Sequence, residues 1–111
     1  MNILTVDLED WFQVSNLEGR VPREAWPHCE SRLRRNTERL LAMLDEAGAK
    51  ATFFVLGWNA EQCPSLVRQI ADAGHEIATH GWEHRLVYDM KPAEFREDLR
   101  RSVGVIEDAA G

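Results

Sequence analysis

Residues 5–14 read TVDLEDWFQV, and this stretch decides how the chain is organised. Ile3, Leu4, Val6 and Leu8 give it the apolar character of a buried strand with little helical spacing. Three carboxylates then follow within four positions, Asp7, Glu9 and Asp10, and two aromatics, Trp11 and Phe12, come next. A strand over 2–8 that ends in acids walled by rings points to a functional strand end. On an extended backbone Asp7 and Glu9 point to one side and Asp10 to the other. A strand that stops near Leu8 leaves Asp10 free to swing back.

Outward from this strand the pattern alternates. Residues 12–30 carry Gly19, Pro22 and Pro27 and read as a long connection, a length associated with function. Ser31 opens a helix to Ala47 with Leu33, Thr37, Leu40, Leu41, Leu44 and Ala47 on one stripe, and Gly48 closes it. KATFFVL (50–56) suits a strand buried on both faces and stopped by Gly57. Pro64 opens a second helix, buried through Leu66, Val67, Ile70 and Ala71. HEIAT (75–79) is a short strand, and Pro92 opens a last helix with Phe95, Leu99, Val103 and Ile106 in register. EAGAKATFFVLGW and DAGHEIATHGW echo one another as helix end, Ala-Gly, strand, Gly-Trp. Strands alternating with helices predict an α/β fold with a parallel sheet, either a barrel or a doubly wound sheet. Three strands do not close a barrel, so the expectation is the first portion, about three βα units, of one larger domain spanning 1–111 and beyond.

Composition narrows the function classes. The 111 residues are 44% hydrophobic, enough for a packed core, and carry a net charge of −6. The densest basic run is RLRR at 32–35, which is not a nucleic-acid footprint. No apolar run approaches the ~20 residues of a membrane span. The N-terminus shows no basic-then-apolar leader, so a cytoplasmic location is expected, with action near the membrane or envelope. Cys29 and Cys63 fit no CxxC pattern and read as reduced structural thiols.

Two polar clusters converge in this scheme. Parallel α/β folds bind ligands at the carboxyl ends of their strands. The acids of DLED lie at that end of the first strand, and His80 and His84 lie just past that end of the third. Two imidazoles with one carboxylate make a three-ligand site with open positions, as zinc hydrolases use. HxxxH alone is weak, because such pairs are usually unrelated; its place opposite three acids gives it weight. The nearby aromatics lower the local dielectric and raise carboxylate pKa, which suits a general base. His75 begins a strand at the opposite rim and reads as structural. Trp58 and Trp82 each follow a strand-ending glycine and serve either as core plugs or as platforms for sugar rings.

ILTVDLEDWF is similar to a first motif usually written TFDDG, and THGWEH to a second motif, H-[S/T]-x-x-H. With AKATFFVLGWNAE between them, the chain resembles the NodB-like polysaccharide deacetylases, carbohydrate esterase family 4. Its opening looks closest to an exopolysaccharide-associated branch, and its D-x-[D/E] form is similar to the peptidoglycan deacetylase and allantoinase-like branch. The resemblance implies a distorted (β/α)7 barrel, a divalent metal and hydrolysis of N-acetyl groups on a polysaccharide. Zinc is the expected metal, with nickel and cobalt as alternatives. It implies His80 and His84 as metal ligands; Asp7 is expected as the third ligand, Glu9 or Asp10 as the base or its support, and Trp11 and Trp82 against the sugar. Leu8 stands where the usual motif has a second Asp, and Gly81 where it has Ser or Thr. The family's Arg motif and its late His do not occur in these residues, so the 111-residue piece is expected to be inactive alone. The alternatives are a catalytically dead carbohydrate-binding or assembly module, or an allantoinase-like hydrolase of a non-sugar amide.

Overall fold

A computed structural model describes all 111 residues. The three predicted strands form, as β1 (Thr5–Leu8), β2 (Thr52–Val55) and β3 (Glu76–Thr79). They make one parallel sheet in the order β1-β2-β3, with Thr5, Thr52 and Glu76 in register at one end and Leu8, Val55 and Thr79 at the other. Around it lie α1 (Leu33–Ala47), α2 (Gly57–Gln62), α3 (Pro64–Asp72) and α4 (Pro92–Ala110). Both crossovers step the same way along the sheet, so their right-handedness puts α1 and α2–α3 on one face.

That face is the core. Leu8, Phe53 and Val55 pack against Leu41 and Leu44 of α1, Leu66, Val67 and Ile70 of α3, and Ile106 of α4. Each side chain of this size contributes about 1.5–3 kcal/mol when fully buried. The opposite face is more open. Asp7 is exposed and Phe54 only partly buried, so β2 is not covered on both sides as its apolar run predicts. The first strand also begins later than expected: Ile3 and Leu4 are 78% and 47% exposed, although Leu4 O still accepts the Thr52 N–H.

A fourth helix, α2, departs from the three predicted. Gly57 does more than stop β2: it starts a short helix that ends at Cys63. Cys63 leaves the helical region (φ −141°, ψ 59°), as the residue before a proline tends to do, and Pro64 restarts the chain as α3. The connection 12–30 is not featureless either, since it folds into 3₁₀ turns at Ser15–Leu17 and Arg23–His28.

The two Gly-Trp echoes lie side by side. Gly57 N–H donates to Gly81 O at 2.8 Å and Trp58 N–H to Trp82 O at 2.9 Å, while His80 N–H donates to Val55 O at 2.9 Å. The β2–β3 pairing therefore continues past both strand ends and carries the histidine loop with it. A Cβ on Gly57 would run into the Trp82 ring and lie 3.1 Å from Ser102 Cα. Gly57→Ala is expected to cost about 1–3 kcal/mol, as overpacking does, and to lower the denaturant midpoint; a wild-type midpoint would show that the corner relaxes freely.

His75 lies at the other rim. It is buried, and its Nδ1 accepts the Ala51 N–H at 3.1 Å. Burial, with Lys50 nearby, lowers its pKa. The neutral ring is thus the folded form, and its contribution is complete above the unfolded value of about 6.5. Below that the unfolded chain takes up the proton first, and stability falls until the pH passes the lowered folded value. The melting temperature should therefore drop as the pH falls below about 6.5. His75→Gln, which keeps an acceptor for Ala51, should flatten that slope; an unchanged slope would assign it to other groups.

Candidate metal centre

Glu9 stands one residue past β1, and His80 and His84 stand in the loop after β3. Glu9 Oε2 lies 3.4 Å from His80 Nε2 and 3.2 Å from His84 Nε2, and the two rings are 5.2 Å apart between centroids. One ligand atom from each of the three residues falls within a mutual 4.8 Å. Glu9 Oε2 and His80 Nε2 are buried and have no hydrogen-bond partner. An unpaired carboxylate oxygen beside two imidazole nitrogens, aimed at common space, fits a divalent cation of the zinc type.

The other acids lie apart from this focus. The Asp7 carboxylate is 57% exposed and reaches only His80, at 4.0 Å between Oδ2 and Nε2. The expectation that Asp7 is the carboxylate grouped with the two histidines thus differs from the geometry, in which Glu9 holds that place. Asp10 is 4% exposed and committed elsewhere. Its Oδ2 accepts the Ser31 hydroxyl at 2.6 Å, both its oxygens accept the Arg32 N–H, and Oδ1 accepts the Trp11 N–H. Those bonds seat the start of α1, so Asp10 is a structural carboxylate rather than a free base. Of the aromatics proposed against the sugar, Trp11 is 42% exposed and lines a cleft with Asp7 and Glu9. Trp82 is a correction: it is 5% exposed, packed at the Gly57 corner, with the Arg101 guanidinium 3.5 Å from its ring centroid. The glycine at 81 has a backbone reason, a φ of +76° that disfavours Ser or Thr. His84 also sits in the left-handed region, with φ +60°.

Several residues that hold the centre escaped the sequence reading. Ser15 Oγ lies 3.3 Å from His84 Nδ1, which leaves Nε2 to face Glu9. Such a partner orients a ligand imidazole. Arg23 Nε donates to Glu83 O at 2.8 Å, and its other end pairs with Glu18. The long connection 12–30 thereby braces the histidine loop. Its proline- and glycine-rich composition signals a loop, and no local pattern marks which polar residue reaches 60 or more positions along the chain.

The polysaccharide deacetylase family model matches residues 25–111. A peptidoglycan-N-acetylglucosamine deacetylase of Bacillus cereus is 35% identical over 75 residues, covering 68% of this chain and 27% of that protein. A chitooligosaccharide deacetylase of Rhizobium leguminosarum bv. trifolii is 41% identical over 58 residues, covering 52% and 24%. The chain thus spans about a quarter of the length of these two relatives (27% and 24%). Among solved structures, a family 4 acetyl xylan esterase from Clostridium thermocellum in complex with a cobalt ion superposes with a TM-score of 0.69 at 26% identity, covering 98% of this chain and 43% of that one. The sheet order alone suits a barrel run or half of a doubly wound sheet; this likeness decides for part of the distorted (β/α)7 barrel. The chain belongs to the metal-dependent polysaccharide deacetylase family.

Proposed function

We propose that these residues form the metal-holding side of a carbohydrate N-deacetylase site, with Glu9, His80 and His84 as ligands and Asp7 as general base. The observation that carries this reading is the Glu9 carboxylate set between two imidazole nitrogens at 3.2 and 3.4 Å. Glu9, His80 and His84 would hold a divalent cation, zinc foremost, which would supply Lewis acidity toward an acetyl carbonyl and a water. Asp7 then has a separate task. Its carboxylate is exposed at the same rim, close to the ligands yet outside their focus, where it accepts a proton from an attacking water. His84, fixed by Ser15 through Nδ1, keeps Nε2 available at the centre. Trp11 offers an exposed ring beside these acids for a sugar face.

The substrate class is supported by relatives named for peptidoglycan N-acetylglucosamine and for chitooligosaccharide. N-acetylated glucosamine polymers are the proposed substrates, a class that includes exopolysaccharides built from N-acetylglucosamine. A relative named acetyl xylan esterase favours O-acetyl xylan as the second reading.

The test separates ligand from base. Glu9→Gln and His84→Ala are expected to weaken zinc binding at least tenfold in competition with a chelator, in line with loss of a ligand. Asp7→Asn should bind zinc like wild type, while in a protein that joins these residues to the family's Arg motif and late His, acetate release from N-acetylglucosamine oligomers falls roughly 10²–10⁴-fold. Loss of zinc in Asp7→Asn together with full retention in Glu9→Gln would reverse the two roles. Acetate release from acetylated xylan alone would move the substrate to the ester.

A further inference from the structure

We propose that the buried amide pair Gln13–Asn59 aims the Glu9 carboxylate, so that both are positioning residues of the site; this rests on the reading of Glu9, His80 and His84 as ligands. Gln13 is 1% exposed and Asn59 3%. Their side chains bond reciprocally: Gln13 Nε2 donates to Asn59 Oδ1 at 2.8 Å, and Asn59 Nδ2 donates to Gln13 Oε1 at 2.9 Å. Each amide then makes one further bond. Asn59 Nδ2 donates to Leu8 O at 3.1 Å, and Gln13 Oε1 accepts the Asp10 N–H at 2.6 Å.

Those two backbone groups belong to the peptide units on either side of Glu9. A peptide unit is planar, so holding the Leu8 carbonyl fixes one plane and holding the Asp10 N–H fixes the other. Two fixed planes leave the Glu9 Cα little freedom, and the direction of its Cα–Cβ bond is set. A flip of Asn59 would set its oxygen against the Leu8 carbonyl, and a flip of Gln13 would set an NH₂ against the Asp10 N–H, so each amide has one workable orientation. Filling this space alone would favour apolar residues, because buried amides are unfavourable unless saturated. Here every amide nitrogen and oxygen of the pair is hydrogen-bonded, and the pattern joins α2, which carries Asn59, to the one turn that carries the carboxylate.

The experiment uses zinc as probe, with Asn59→Leu and the milder Gln13→Met, which keeps length and volume but loses both contacts. Both variants are expected to bind zinc about 10–100-fold more weakly than wild type, as loss of an outer support does. Ile70→Val, a core truncation in α3, serves as the control for destabilisation alone and should bind zinc as wild type does. In the metal-free protein, exchange of the Asp10 amide should be at least tenfold faster in the two variants, with the β2 amides unchanged. Wild-type zinc affinity in Gln13→Met, with Glu9→Gln still impaired, would overturn the positioning role and leave the site reading intact. An Asp10 amide that exchanges as fast in wild type as in the variants would also overturn it. Equal zinc affinity in wild type and Glu9→Gln would instead sink the site reading, and this inference with it.

Discussion

The buried Asp10 carboxylate is the constraint on which the geometry of this rim depends. A charge removed from water must find compensation, and Asp10 finds it at the start of α1 and in its own turn. Hydrogen bonds to a charged group contribute about 1.5–3 kcal/mol each, and the positive end of the helix dipole favours the same sign. The bonds do two things together. They stop β1 at Leu8, and they place the first turn of α1 against that stop. Glu9 is then the residue between a strand that has ended and a turn that is already tied down, with its side chain on the face opposite to the one Asp10 serves.

The histidine side of the site is braced differently, mostly through backbone. The ladder between β2 and β3 runs on through His80, Gly81 and Trp82, so the loop starts as an extension of the sheet. Ser15 and Arg23 then reach it from the connection that follows β1. The histidine half is thus held from the connection that follows the acid's strand, and the Glu9 turn from Asn59 of α2, far along the chain. The parallel sheet supplies the common frame, since its register brings the ends of β1 and β3 to one edge.

Much of this was legible in the sequence because it rests on period and punctuation. The apolar run of β2, the stripes of α1 and α3, Pro64 and Pro92 at helix starts and Gly48 at a helix end are local signals with local causes. The convergence of DLED and HGWEH followed from the rule that parallel strands share a functional rim. Alternation even separated Asp10 from Asp7 and Glu9. It did not say which of Asp7 and Glu9 reaches the imidazoles, because both lie on one side and the answer depends on height above the sheet. Trp82 could not be placed either, since a tryptophan after glycine reads alike as plug or platform; the close approach of Gly57 and Ser102 decides it. Gln13 and Asn59 were silent because their meeting is a long-range event with no periodic trace.

The left-handed backbone of His84 has an evolutionary meaning. For a residue with a Cβ this conformation is less favourable by about 1–2 kcal/mol, and glycine or asparagine adopts it with least strain. Position 84 is therefore a place where folding and chemistry pull in opposite directions. Drift without selection on the site would replace the imidazole by a residue the turn prefers, and the molecule would grow more stable as it lost its ligand. A catalytically silent descendant of this fold would then be expected to be the sturdier of the two, with the record of its former chemistry erased first at its most strained residue.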